Sequence, residues 1–142
     1  MRAKDREEIL ASGGWTRPEA CIRANINRSA EAWAAYAGTD LLCVFGVVPT
    51  SNQGVAYQVP WLFGSPAIER HALTFWRCSK RVVEHWRGKY PLLLQMVHGQ
   101  YTEALHWIER LGFKLEPPQK WGKRGDLFCA ASLKTEEVIL HV

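Results

Sequence analysis

Apolar positions recur along the chain with two different periods, and the switches between them mark its elements. Leu41 to Val48 is apolar throughout and lies between Gly38-Thr39-Asp40 and Pro49-Thr50-Ser51-Asn52-Gln53-Gly54. A run of that kind between turn residues predicts a central strand covered on both faces. Ala30 to Tyr36 is open to helix on its alanines and is placed by topology as the first arm of a hairpin. Val55 to Phe63 reads as the antiparallel partner, with Pro60 predicting a bulge or a local break in pairing. Ile68, Ala72, Phe75, Ser79, Val82 or Val83 and Trp86 then recur at helical spacing. With Ser65 as cap and Pro66 at the first position, they predict one long helix from Ser65 to Trp86, closed by Gly88.

The segment from Pro91 to Phe113 carries the most information, because a buried strand, Leu92 to Val97, runs directly into a short helix, Thr102 to Leu111, that ends in Leu-Gly-Phe. A strand around Phe113 to Leu115 follows. After Pro117-Pro118 and a Lys120 to Gly125 loop, a last strand opens at Asp126 and continues from Leu127 to Ser132. At the other end, residues 5–12 predict a short helix stopped by Gly13-Gly14. A second helix is expected from Pro18 to Asn27, with Thr16 and Glu19 at capping-box spacing.

Composition narrows the class without naming it. A chain of 142 residues suits a single domain over residues 1–142. At 47% hydrophobic and 23% charged, it is an ordinary globular sequence rather than a disordered one. No window approaches the roughly 20 apolar residues of a membrane span. The N-terminus, Met1-Arg2-Ala3-Lys4-Asp5-Arg6-Glu7-Glu8, has no apolar stretch after it, so no signal peptide and no membrane partner are expected. Cys21, Cys43, Cys78 and Cys129 form no Cys-x-x-Cys pair and read as buried free thiols. A net charge of +4 with a pI near 9.0 allows weak contact with nucleic acid through a basic surface. Seven tryptophans point to core packing, or to a protein interface if several are exposed together.

Candidate chemistry is sparse. His98, at the end of the strand Leu92 to Val97, is the best candidate for a general base, against the alternative of a hydrogen-bonded structural histidine. His71 is a weaker candidate, and Glu69 does not stand at a helical pairing distance from it. The five histidines have no ligand spacing, so no metal is expected. Ser65 lacks a nucleophile elbow and reads as a cap. Lys120, Trp121, Lys123 and Arg124 interleave cations with an aromatic ring, as an exposed loop or a base-stacking site would.

The order of elements, two helices, an antiparallel group of strands, a long helix, then strand, helix, strand, strand, resembles the Gcn5-related N-acetyltransferase (GNAT) fold across nearly the whole chain. Ala104 and Leu111-Gly112-Phe113 match the tail of that family's Asn-x-x-Ala-x-x-x-Tyr and Gly-Phe signature. A closer likeness is to the podophage internal-core-protein branch, GNAT-like proteins encoded among virion genes. It is carried by Glu31-Ala32-Trp33, Val44-Phe45-Gly46-Val47-Val48-Pro49, Pro60-Trp61-Leu62-Phe63-Gly64, Glu69-Arg70-His71, Tyr90-Pro91-Leu92-Leu93 and His106-Trp107-Ile108-Glu109-Arg110-Leu111-Gly112-Phe113.

The resemblance implies an α/β (α+β) domain with a mixed, mainly antiparallel central sheet flanked by about four helices. It also implies acetyl-CoA as cofactor if the protein is active, other phage virion proteins as partners, and a location in the virion or host cytoplasm. Where family enzymes hold the coenzyme pyrophosphate on Arg/Gln-x-x-Gly-x-Gly/Ala, this chain has Trp61-Leu62-Phe63-Gly64-Ser65-Pro66-Ala67-Ile68. The basic residue is missing and Pro66 offers no N–H, so weakened anion binding is expected. The cofactor-binding positions implied are Trp61, Leu62, Phe63, Gly64, Ser65, Ala67 and Tyr101. Tyr101 stands where the family has Asn, and Ile108, which has no proton to donate, stands where the family has its general-acid Tyr. The family's first strand has no clear counterpart. The expectation is therefore a virion or assembly protein that binds other proteins, with acetyl transfer degenerate. The alternative is an active N-acetyltransferase using His98 or a water as base.

Overall fold

The computed structural model describes residues 18–135. The helix expected over residues 5–12, its Gly13-Gly14 stop and the Thr16 cap lie outside them. The elements run α1 (Pro18–Arg28), β1 (Glu31–Ala37), β2 (Asp40–Asn52), β3 (Val55–Gly64), α2 (Ala67–Arg70), α3 (Ala72–Lys89), β4 (Leu92–His98), α4 (Thr102–Arg110), β5 (Lys114–Leu115), β6 (Gln119–Trp121) and β7 (Asp126–Lys134). One sheet takes all seven strands, in the order β1-β2-β3-β4-β7-β5 with β6 also on β7. Every pairing is antiparallel except β3 with β4. Among the described residues this is the mixed, mainly antiparallel sheet with four helices that the resemblance implies.

Turn chemistry sets the hairpins. Asn52 pairs with Val55, so only Gln53 and Gly54 form the loop, at φ 52° and 80°. Two consecutive positive φ values are what a two-residue turn needs to match strand twist. Pro49 to Asn52, read from sequence as turn, therefore belong to β2. The β1–β2 ladder steps from Ala35↔Cys43 to Tyr36↔Leu41 and leaves Leu42 as the extra residue of a bulge. The Leu42 carbonyl accepts the Ser65 N–H at 2.8 Å, and the Leu41 carbonyl accepts the Ser65 hydroxyl.

Three expectations need correction. Pro60 makes no bulge against β2, since the β2–β3 register runs unbroken from Asn52↔Val55 to Cys43↔Gly64. Its consequence falls on the other edge. The Pro60 carbonyl faces β4, where it accepts from Gln95 Nε2 at 2.6 Å. In a strand the nitrogen of the same residue points the same way, so Pro60 has no N–H to give β4. The expected single long helix is two, α2 and α3, separated at His71, whose backbone sits at φ −125°, ψ 40°. His71 Nε2 meets Asp40 Oδ2 at 3.0 Å, which fastens the break to the start of β2. The Lys120 to Gly125 loop is shorter than expected, because Lys120 and Trp121 are in β6 and pair with Leu127 and Asp126.

α3 covers one face of the sheet, where Trp86 meets Phe45 edge-on at 6.0 Å. Phe45, Val47, Leu93, Val97, Ala131 and Leu133 form the buried centre of that face. α1 lies on the opposite face. There Gly46 allows Trp61 to cross β2, since a Cβ at residue 46 would stand 2.9 Å from the Trp61 ring and 2.5 Å from the Glu31 carbonyl. The Trp61 indole then donates to Ser29 Oγ at 2.8 Å, and Ser29 Oγ donates to the Asn25 carbonyl at 2.6 Å.

Glu31, at the start of β1, fastens the far end of α3. Its Oε1 accepts Trp86 Nε1 at 2.8 Å and Trp33 Nε1 at 3.2 Å, and its Oε2 accepts Lys89 Nζ and the Tyr90 hydroxyl, each at 2.8 Å. Burial works to raise this carboxyl. The bonds from Lys89, Tyr90, Trp86 and Trp33 outweigh it and hold the group at about 2.

Candidate cofactor cleft

β3 and β4 are parallel neighbours that meet at a single register pair, Gln58↔Leu93. Beyond it they part, and a cleft of about 490 Å³ opens between them. Its walls include Cys21 and Asn25 of α1 on one face, and Phe75, Trp76 and Ser79 of α3 with Trp107 of α4 on the other. The lining thus includes residues from both faces of the sheet. Gln95, in mid-β4, spans the gap. Its Nε2 donates to the Pro60 carbonyl, while its Oε1 accepts its neighbour Met96 N–H at 2.8 Å. One carboxamide thus does locally what a continuous ladder would have done.

Of the cofactor-binding positions implied by the resemblance, Trp61, Leu62, Phe63 and Tyr101 line this cleft; Gly64 ends β3, Ser65 lies in the turn after it and Ala67 begins α2. In that turn the main-chain donors are engaged within the chain. Ser65 N–H goes to the Leu42 carbonyl, Ala67 N–H to Ser65 Oγ at 3.2 Å, Ile68 N–H to the Ser65 carbonyl at 3.2 Å and Glu69 N–H to the Pro66 carbonyl at 3.3 Å. Pro66 has none. α2 has only four residues and carries Glu69 in its first turn, which opposes an anion. Val55 to Glu69 contains no Lys or Arg. Ser65 is a cap, as its position predicts.

His98 is 3% exposed and has both ring nitrogens engaged. Nδ1 accepts the Gln100 N–H at 3.2 Å, which leaves Nε2 to carry the proton it gives Asp126 Oδ2 at 2.9 Å. The ring also stacks on Tyr101 at 4.9 Å and meets Phe128 edge-on at 5.0 Å. The His98 bond, and after it Arg124 at 2.6 Å, hold the Asp126 carboxyl below its usual value. His98 thus ties the end of β4 to the start of β7, the structural role its sequence position left open. His71 is fastened to Asp40 and not to Glu69. Arg124, one of the cations that the sequence interleaves with Trp121, pairs with Asp126.

The tryptophans follow the core reading for the most part. Trp61 and Trp86 are buried and Trp76 and Trp107 pack on the core, whereas Trp33 and Trp121 are exposed at opposite edges of the sheet. They do not form one patch. Trp107 stacks on Phe75 at 5.4 Å and lines the cleft. Gln95 was missed, although a lone polar residue inside Leu92 to Val97 was the available signal. Among the described residues the four cysteines are free thiols, no group of three His, Cys, Asp or Glu side chains could hold a metal, and no helix is long and apolar enough to cross a membrane.

No protein-family model and no curated protein matches the sequence. Solved structures do match the fold. A GNAT-family acetyltransferase from Streptococcus agalactiae superposes with a TM-score of 0.64 at 13% identity, over 92% of this chain and 79% of that one. The ribosomal-protein-S18-alanine N-acetyltransferase of Escherichia coli gives 0.61 at 11% identity, over 90% and 82%. A Salmonella typhimurium protein solved with its cofactor acetyl-CoA gives 0.61 at 16% identity, over 86% and 76%. The architecture is therefore the GNAT fold. Identities this low establish the fold and leave the activity to be argued from the site.

Proposed function

We propose that this GNAT-fold chain acts as a protein-binding structural component of a bacteriophage particle or of its assembly, with acetyl transfer degenerate. One observation carries the loss of activity: the turn from Ser65 to Glu69 uses its N–H groups internally, where a coenzyme diphosphate would need them. Ile108, in place of a proton donor, and His98, with both nitrogens engaged, support the same reading. The role in a particle rests on the motif likeness to podophage internal core proteins, and other virion proteins are the partners it implies.

Calorimetric titration with acetyl-CoA tests the first half. No heat of binding is expected up to millimolar cofactor. Micromolar binding would overturn it and restore the alternative of an active N-acetyltransferase, with main-chain groups of Trp61 to Ala67 on the cofactor. Mass spectrometry of purified particles tests the second half: the chain is expected among the virion proteins, and its absence there sinks that role.

A further inference from the structure

We infer that the outer edge of β1 pairs antiparallel with β1 of a second copy of this chain, about a two-fold axis at Ala34, in a weak dimer whose sheet runs through both copies. β1 ends the sheet, and no described strand pairs with its outer side. The direction of its backbone is set by β2. The Val47 carbonyl accepts the Ala30 N–H at 2.9 Å and so faces β1, and the Glu31 carbonyl lies against Gly46. Successive residues of a strand turn their N–H and C=O groups to opposite sides. Those of Glu31, Trp33 and Ala35 therefore face β2, and those of Ala32 and Ala34 face outward.

Nothing on this edge repels another strand. Exposed edges are usually kept short, or guarded by Lys, Pro or a bulge. At the other end of the sheet β5 and β6 have two and three residues, whereas β1 has seven. It contains no Lys, Arg or Pro, and the extra residue of the β1–β2 bulge belongs to β2. Its one charge, Glu31, is already bonded to Trp86, Lys89 and Tyr90. Trp33 and Tyr36 stand 55% and 60% exposed.

The order of residues in β1 points to its own copy as the occupant. With Ala34 on the axis all seven residues pair, and each aromatic meets an alanine: Trp33 lies opposite Ala35 of the second copy, and Tyr36 opposite its Ala32. Directly opposite residues share a face of the sheet, so each ring has room over a methyl group. Moving the axis one residue either way pairs only five of the seven, and at Trp33 it sets two indoles against each other. A strand of this length is well below the roughly 20 to 30 residues a side of a standard interface, so a dissociation constant on the order of 10 to 100 μM is expected.

The inference goes beyond the structural role proposed above and can fail independently of it. Cofactor titration and particle composition bear on that role, whereas this test is sedimentation equilibrium of the full chain from about 5 to 500 μM, where a reversible dimer is expected. Ala34 is the residue that faces its own copy. Ala34→Glu and Ala34→Lys each oppose like charges and should weaken the dimer about fivefold or more, while an equimolar mixture of the two should restore it, Glu against Lys. Ala34→Pro removes the central bonds and spares the β1–β2 ladder, because the Ala34 nitrogen faces away from β2. It should be monomeric, with an unchanged unfolding temperature in dilute solution. A dimer indifferent to Ala34→Pro, or Glu and Lys chains that fail to restore each other, overturns the inference. So does a native chain that stays monomeric over the whole range; slow exchange of the Ala34 amide in that monomer would assign the edge to another segment of the same chain.

Discussion

Replacing Glu31 by Gln keeps the side-chain shape and removes the charge on which four donors converge. A carboxyl moved from its ordinary 4.5 to about 2 is favoured in its ionised form by about 3 kcal/mol, at about 1.4 kcal/mol per tenfold change in proton affinity. Lys89 is half exposed, so part of its contribution is screened by solvent and salt, and about 2 kcal/mol is the expected net loss. Glutamine adds a conflict, because its NH₂ would face either Lys89 and Tyr90 or Trp86 and Trp33, all donors. The sign with pH follows from a depressed value in the folded state. The stabilisation is fully present above about 4.5 and is lost as pH falls through about 2. Urea unfolding of the native chain and Glu31→Gln at pH 7, 4 and 3 should show a gap of about 2 kcal/mol that narrows only below about 4.5. A gap below about 0.5 kcal/mol at pH 7, or one unchanged down to pH 3, would refute the view that Glu31 anchors α3 to β1 as a charge.

Gly46→Ala would force a Cβ to within 2.5 Å of the Glu31 carbonyl and 2.9 Å of the Trp61 ring, at a cost of about 2 kcal/mol or more, seen as a lower unfolding temperature in calorimetry. Gln53→Asn at φ 52° should stabilise by about 0.5 kcal/mol in the same assay, because asparagine enters that conformation more readily. Gln95→Leu removes the bond to the Pro60 carbonyl; faster amide hydrogen exchange at the ends of β3 and β4 is expected, without global unfolding. The His98–Asp126 tie should persist above pH 3.8 and loosen as pH falls through the lowered value of Asp126, read as faster exchange of the Gln100 amide in acid.

Much of this fold is legible in local chemistry. Gln53-Gly54 supplies a hairpin turn, the apolar run Leu41 to Val48 fills the centre of β2, and the helical spacing from Phe75 to Trp86 defines the buried stripe of α3. What escapes the sequence depends on partners far along the chain. The break at His71 is fastened by Asp40, 31 residues away, and nothing in Ile68 to Trp86 announces it. Glu31 looks like an ordinary strand-edge acid until Trp86, Lys89 and Tyr90 reach it from 55 to 59 residues on. Pro60 was recognised as disruptive, yet a strand has two edges, and only the register shows that β4 and not β2 loses the bond.

The same feature explains why the fold can persist while the cofactor turn changes. Ser65 answers the Leu41 and Leu42 carbonyls at the β2 bulge and caps Ala67 with its hydroxyl. Pro66 then leads into α2 without requiring an acceptor for its nitrogen. Each group is satisfied inside the protein, so the turn needs no bound anion to be stable. A turn built to hold phosphate leaves several N–H groups pointing outward and depends on water or ligand to answer them. Self-satisfaction at this position therefore favours a turn that is stable without a ligand.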